Sequence, residues 1–461
     1  MGAARADEIV RDLWGLCSVL RDEGVTYHEY LSELSYPLFL KLASTLSIET
    51  KIPAAYRWQV LRAAPAGDAL AAYRRVLAGL AEAEDPFLRA VFNESATRIR
   101  TKAGLSRFLA GIDAINWGEI AGSTLGDVYE GLIQKSAQES RYGAGQYFTP
   151  RPLVEAIVAA VQPTSADTVY DPAAGTAGFL IAAGAATRSR RHPSLHGVEL
   201  ATDVHRLALM NLMLHGMRAD LYLGDALTSR FPPKSCTVCL TNPPFGVKGS
   251  VTPEEAEHLD FPTSSKQLAF LQHVYARLAP AGRAAVVVPD NVLFEEGVAK
   301  AIRTHLLDTF NLHTILRLPT GIFYATGVKA SVLFFQRPMP SQARTQQVWI
   351  YDLRNGGKSF TRRKVLQRED FEDFLEAYGS DPNGNSPRQP SARFYSVDRE
   401  VLRSSGDRLD LGIRDAGPSE REQEGSPLAA LQLLKAEIDA VNNAVSALID
   451  LVAMQPGDPR K

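Results

Sequence analysis

Apolar side chains return every three or four residues through the first 120 positions, and strand-like runs are almost absent there. Ile9, Leu13, Leu16 and Leu20 form one stripe. Tyr30, Leu31, Leu34, Leu38, Phe39 and Leu42 form a second, placed after Thr26, a suitable helix cap, with Gly24 separating the two. Residues 1–120 are therefore expected to form an all-helical N-terminal domain, and they offer no chemistry. From about 121 the pattern changes. A helical stretch at 124–139 runs into the loop Arg141-Tyr-Gly-Ala-Gly-Gln-Tyr-Phe-Thr-Pro150, followed by a helix opened by Pro152. Short apolar runs then predict strands over 168–170, 197–200, 221–223, 237–240, 284–288, 314–318 and 330–335. Helical periodicity predicts helices over 178–187, 202–215, 266–278 and 298–308. Alternating strands and helices make an α/β domain over 121–340, its seven-stranded sheet mostly parallel with helices on both faces. The last two strands lie too close in sequence for a helix between them, so one of the pair runs antiparallel.

Residues 341–424 are less regular, and Gly-Ser-Asp-Pro-Asn-Gly-Asn-Ser-Pro at 379–387 has turn or linker composition. The segment 425–461 is different again. Ser426-Pro427 reads as a cap and first turn, and Leu431, Leu434, Ile438, Val441, Val445, Leu448 and Val452 keep an a/d spacing over about three heptads. This amphipathic helix is expected to dock on another helix.

Composition narrows the class. Fifty Lys plus Arg against 52 Asp plus Glu exclude a strongly basic protein that coats nucleic acid by itself. The small basic clusters Arg188, Arg190, Arg191 and Arg362-Arg363-Lys364 read as solvated surface. Three cysteines cannot build a disulfide framework and fit a reducing compartment. Cys236 and Cys239 fall in a buried strand without a second ligand pair, so they read as core residues and no metal site is expected. No apolar run approaches the ~18 residues of a membrane span, and the first residues lack a signal-peptide core. A soluble, intracellular protein without membrane contact is expected.

Two constellations carry chemistry. Val169-Tyr-Asp-Pro-Ala-Ala-Gly-Thr-Ala-Gly178 lies where a strand feeds a helix, and Gly175 and Gly178 let a ligand approach the backbone. Glu199 closes the next strand, 21 residues beyond Gly178, where a carboxylate can accept from both hydroxyls of a ribose. Gly224-Asp225 closes the third strand, and Asp225 can accept from an adenine amino group. Glycines alone would suit any tight strand-to-helix turn; acids at the next two strand ends point to a nucleoside. A phosphate loop does not fit, because the single Gly-Lys-Ser, at 357–359, has Asp352 where the first glycine belongs. The second constellation is Asn242-Pro243-Pro244-Phe245, directly after the fourth strand. Asn242 accepts through its side-chain oxygen, the prolines remove two backbone donors, and Phe245 offers a face for a planar base. Together they can hold a ring with an amino group and both of its N–H bonds.

These motifs resemble those of S-adenosylmethionine-dependent amino-methyltransferases acting on adenine N6. Gly145-Gln-Tyr-Phe-Thr-Pro-Arg151 resembles the segment that binds the methionine end of the donor in that family, and it precedes the glycine motif, the order of the γ group of DNA methyltransferases. With the helical N-terminal domain and the helical tail, most of the chain resembles the modification subunit of type I restriction–modification systems. The resemblance implies a Rossmann-like methyltransferase sheet and S-adenosyl-L-methionine as donor. It places Gln146, Tyr147, Phe148, Thr149, Pro150, Arg151, Asp171, Gly175, Thr176, Ala177, Gly178, Glu199 and Asp225 at the cofactor, and Asn242, Pro243, Pro244 and Phe245 at the target base. It further implies double-stranded DNA as substrate and a separate DNA specificity subunit, two modification subunits to one specificity subunit. A restriction subunit is a further possible member, in the cytoplasm of a prokaryote. Protein-glutamine and RNA amino-methyltransferases share the Asn-Pro-Pro-aromatic motif and are the alternative class.

Overall fold

The computed structural model describes residues 2–411, apart from 27–28, 44–47, 66, 118–121, 140–147, 188–191, 229–230, 232, 246–250, 253–254, 256–258, 324–327, 355–359 and 361–364. The helix expected over 425–461, both basic clusters, Gln146 and Tyr147 lie outside the described residues.

The expected strands all form, as β1 (Thr168–Asp171), β2 (Ser194–Glu199), β3 (Asp220–Leu223), β4 (Cys236–Thr241), β5 (Leu278–Pro289), β6 (Asn311–Arg317) and β7 (Ala330–Gln336). Two more join them, β8 (Gln347–Asp352) and β9 (Phe394–Asp398), so the sheet has nine strands among the described residues, in the order β3-β2-β1-β4-β5-β7-β6-β8-β9. The strands from β1 to β5 pair in parallel. The helices Gly178–Ala186, Thr202–Leu214 and Lys266–Arg277 supply the long crossovers that parallel pairing requires. β7 runs antiparallel between β5 and β6, as the short link to it demands.

The expectation of seven strands and an irregular 341–424 is corrected on this point. β8 pairs in parallel with β6 and β9 antiparallel with β8, so residues 347–398 extend the same sheet. The run Val-Trp-Ile-Tyr at 348–351 is buried strand; its polar, Pro- and Gly-rich flanks hide it in the sequence. The turn segment is itself ordered, with Asp381 accepting from the N–H groups of Asn383, Asn385 and Ser386.

The helical part is built as expected from Gly2–Gly15 onward, but its core does not stop at 120. Leu125, Val128, Tyr129 and Leu132 of the helix Gly122–Glu139 belong to it, as do Leu207, Met210 and Leu214. The opposite face of Thr202–Leu214 gives Ala208 and Leu212 to the core of the sheet. A helix buried on two sides thus joins the halves, and Arg206 Nη2 donates to the Asn93 carbonyl across them at 2.7 Å. The helices Gly122–Glu139 and Arg151–Val161 come to lie beside the carboxyl ends of β1, β2 and β4, which is where the chemistry-bearing motifs sit.

Candidate active site

β1 hands over to the helix Gly178–Ala186 through a loop that turns on two left-handed residues, Gly175 (φ +54°) and Ala177 (φ +66°). The second is a non-glycine residue in a sparsely populated region, held there by the surrounding bonds. The Gly175 N–H donates to Glu199 Oε2 at 2.9 Å and the Ala201 N–H to Oε1 at 2.8 Å, so β2's terminal carboxylate fastens two loops. Asn211 Nδ2 donates to the Thr176 carbonyl at 2.9 Å from the bridging helix. A Cβ at Gly178 would meet nothing nearer than Val154, at 4.0 Å, which leaves room above the first turn.

Asp171 is buried and accepts from the Ala173 N–H at 3.1 Å. Burial pushes its carboxyl up to about 7, against the opposing pull of Thr241 and that N–H. Burial also raises Glu199. Asp225 accepts from the Leu227 N–H at 2.9 Å and is raised by burial and then by the neighbouring Glu255. Lys266 lies 3.8 Å from its Oδ2 and pairs tightly with Glu255.

At the end of β4, Asn242 Nδ2 donates to Thr149 Oγ1 at 3.0 Å, whereas its Oδ1 is buried with no hydrogen-bond partner. Pro243 is buried and Pro244 exposed. Phe245 is half-buried, its ring meeting Phe323 edge-on with centroids 5.6 Å apart and planes at 79°. Arg151 opens its helix after Pro150, and its guanidinium reaches Asp127 and Glu130 at 2.8 Å and Glu155 at 2.9 Å.

One cavity of about 960 Å³ collects these groups. Phe148, Thr149, Arg151, Asp171, Gly175, Thr176, Gly178, Glu199, Asp225, Asn242 and Pro244 all line it. Four expected site residues do not line it. Pro150 and Pro243 are buried, Ala177 acts through its backbone at the helix start, and Phe245 packs on the core of the sheet. The sequence reading missed Asp127, Glu130, His215, Lys266 and Phe270 on the same wall. Burial pushes Glu130 up to about 7 although Arg151 pulls against it, and lowers His215 to about 4. The available signal was weak: Asp127 and Glu130 share a helix face at spacing three, as acids on any solvated helix do. Among the described residues no cluster of side chains could hold a metal ion, and Cys236 and Cys239 are buried and free.

Residues 121–411 match the family model described as N-6 DNA Methylase. Over 433 residues the chain is 42% identical to the type I restriction enzyme EcoKI methylase subunit of Escherichia coli. It is 41% identical over 433 residues to the StySJI methylase subunit of Salmonella typhimurium; each alignment covers 87% of this chain and 81% of the relative. The crystal structure of the EcoKI M protein superposes with a TM-score of 0.54 at 34% identity, covering 95% of this chain and 96% of that one. A chain from a study of complex assembly in the type I R-M system gives a TM-score of 0.73 at 26% identity, covering 98% and 99%. With the glycine loop, the strand-end acids and Asn-Pro-Pro-Phe converging on one cavity, these matches establish that the chain belongs to the N-6 DNA methylase family.

Proposed function

We propose that the protein transfers a methyl group from S-adenosyl-L-methionine to adenine N6 in double-stranded DNA, as the modification subunit of a type I restriction–modification complex. The observation that carries this is Asn242 Oδ1, a buried acceptor without a partner on the wall that also holds Gly175 and Glu199. The residues fit the donor. Each Glu199 oxygen takes one backbone N–H and keeps capacity for a ribose hydroxyl, Asp225 can accept from adenine, and Gly178 leaves room above the first turn of its helix. The cavity is of the size that takes a small molecule.

Once bound there, S-adenosylmethionine supplies an electrophilic methyl group. The chain's own part is to make a poor nucleophile competent. The lone pair of adenine N6 is delocalised into the ring; accepting its two N–H bonds at Asn242 Oδ1 and the Pro243 carbonyl favours a more tetrahedral nitrogen. Phe245 supplies the face for the ring. The gain comes from positioning and fixed dipoles, with no strong base required before attack. A base inside a duplex cannot reach this cavity, so it must be flipped out.

Sequence recognition falls to a DNA specificity subunit that two such chains flank, with a restriction subunit able to join. Residues 347–398 extend the catalytic sheet, and no separate recognition domain stands among the described residues. No helix among them is long and apolar enough to cross a membrane, and the cytoplasm is the compartment we propose. The test is to co-express the full chain with the product of its neighbouring gene and supply duplex DNA with labelled S-adenosylmethionine. Label in DNA, released as N6-methyladenine, is expected; label in protein glutamine or in RNA instead would overturn the reading.

A further inference from the structure

We propose that Lys266 determines specificity for the donor's adenine: it stands between Asp225 and Glu255 and keeps Asp225 an open acceptor for the adenine amino group. It acts through Asp225 and is a positioning residue. The inference deepens the methyl-transfer reading, which puts Asp225 at that adenine, and rests on it. A carboxylate is a strong acceptor only while it is ionised; once protonated it accepts as a neutral group and turns a donor of its own toward its neighbours. Burial and the neighbouring Glu255 both push the Asp225 carboxyl up, so its ionisation calls for a cation close by.

Among the described residues Lys266 is that cation. Its Nζ lies 3.8 Å from Asp225 Oδ2 and pairs tightly with Glu255 Oε1. An ammonium has donors only and a carboxylate ion acceptors only, so the sense of both contacts is fixed. The other two oxygens are committed to the backbone: Asp225 Oδ1 accepts from the Leu227 N–H at 2.9 Å, and Glu255 Oε2 accepts from the Thr252 N–H. Asp225 Oδ2 is therefore the oxygen without a backbone partner. Asp225 and Lys266 line the cavity, whereas Glu255 is buried and does not. The stem of Lys266 is set by its helix, Lys266–Arg277, whose Leu268, Leu271 and Val274 are buried in the core. A lysine at the first position of a helix stands against the helix dipole, and the two carboxylates offset that cost. Without the lysine, two acids would face each other in one part-buried place, and like charges so placed hold a proton between them.

Lys266→Met keeps an apolar stem and removes the charge. In the full chain it should weaken binding of S-adenosylhomocysteine, the demethylated donor, by about tenfold in calorimetry, the scale of exchanging a charged acceptor for a neutral one. The analogue with purine in place of adenine has no amino group to donate, and its affinity should be the same in both proteins. A merely structural role would weaken both ligands alike. Adding Glu255→Gln to Lys266→Met removes the rival carboxylate along with the cation, and S-adenosylhomocysteine affinity should return to within about threefold of the unmutated chain. If Lys266→Met proves unfolded by thermal melting, Lys266→Gln takes its place with the same expectations. Unchanged S-adenosylhomocysteine affinity, an equal loss for both ligands, or no recovery in the double variant would overturn the proposal. Failure of the unmutated chain to bind S-adenosylhomocysteine would strike the proposed function instead.

Discussion

Glu199 and Asn242 close β2 and β4, the two strands that flank β1, yet they are held in opposite ways. Both oxygens of Glu199 accept backbone N–H groups, from Gly175 and Ala201, and the loop around them is laced further by Asn211. Asn242 is held by one side-chain bond through Nδ2, and its Oδ1 has no hydrogen bond at all. A buried acceptor left unpaired costs about 1–3 kcal/mol, so its persistence asks for a compensating role. The difference separates two tasks. In the proposed function the side of the cavity that takes the cofactor is prearranged by backbone bonds, whereas the side that takes the base keeps an acceptor unpaired.

The sharpest way to break the comparison is Asn242→Ala. It should lower kcat by ~100- to 1000-fold, the range for one preorganised polar group lost from a reacting centre. Cofactor affinity should be unchanged, and the melting temperature should shift little, because removing the orphaned acceptor offsets the lost bond to Thr149. Single-turnover methylation, calorimetry and a thermal melt check the three statements; a fall in cofactor affinity would mean that the two sides are one unit.

Glu199→Ala is the mirror experiment. Loss of hydrogen bonds to a charged group should weaken S-adenosylmethionine binding by ~1.5–3 kcal/mol, read by calorimetry. Here the melting temperature should drop too, because the N–H groups of Gly175 and Ala201 lose their acceptor.

The two sides were also unequally legible in the sequence. Acids at the ends of β2 and β3 and glycines after β1 stand at fixed offsets in a strand–turn–helix pattern, and the structure puts Asp171, Gly175, Glu199 and Asp225 on one wall. Asn242-Pro-Pro-Phe was equally plain as a motif. What the motif could not carry was its support: Thr149 is 93 residues away from Asn242, and Phe323 comes from the loop after β6. Such contacts depend on which strands the sheet makes neighbours, and no local pattern encodes them. β8 and β9 were hidden for a different reason: their short apolar runs sit between polar, Pro- and Gly-rich flanks.

Acid titration sharpens the contrast in stability. Asp171 is held at about 7 by burial, against ~3.9 in an unfolded chain. The folded state keeps a proton that the unfolded chain has released, so this group's contribution is fully present below about pH 4 and is lost as pH rises through 7. Between pH 6 and pH 8 the loss is on the order of 1 kcal/mol. Glu130, also held at about 7 by burial, adds a second share with the same sign. Denaturant midpoints at the two pH values should show Asp171→Asn removing part of the slope and Asn242→Ala removing none. An unaltered slope in Asp171→Asn would mean that its carboxyl is ionised throughout.

The smallest effect is expected behind Phe245. Phe323 meets that ring edge-on, and it is held from its own side: the Leu318 N–H donates to the Ala330 carbonyl at 3.0 Å, and Arg354 Nε donates to the Leu318 carbonyl at 2.6 Å. Arg354 is in turn fixed by two bonds to Asp290, at 2.7 and 3.0 Å. Phe323 thus braces the face proposed to take the base without itself lining the cavity. Phe323→Leu keeps an apolar side chain there and removes only the ring-to-ring contact, worth ~0.5–1.5 kcal/mol. Capture of the flipped base should weaken by that amount, seen as a several-fold rise in KM for DNA, with kcat and cofactor affinity little changed. Phe245→Ala, which removes the stacking face itself, should cost ~1–3 kcal/mol in the same assay. A larger loss from Phe323→Leu than from Phe245→Ala would reverse their order and make Phe323 the ring that touches the base.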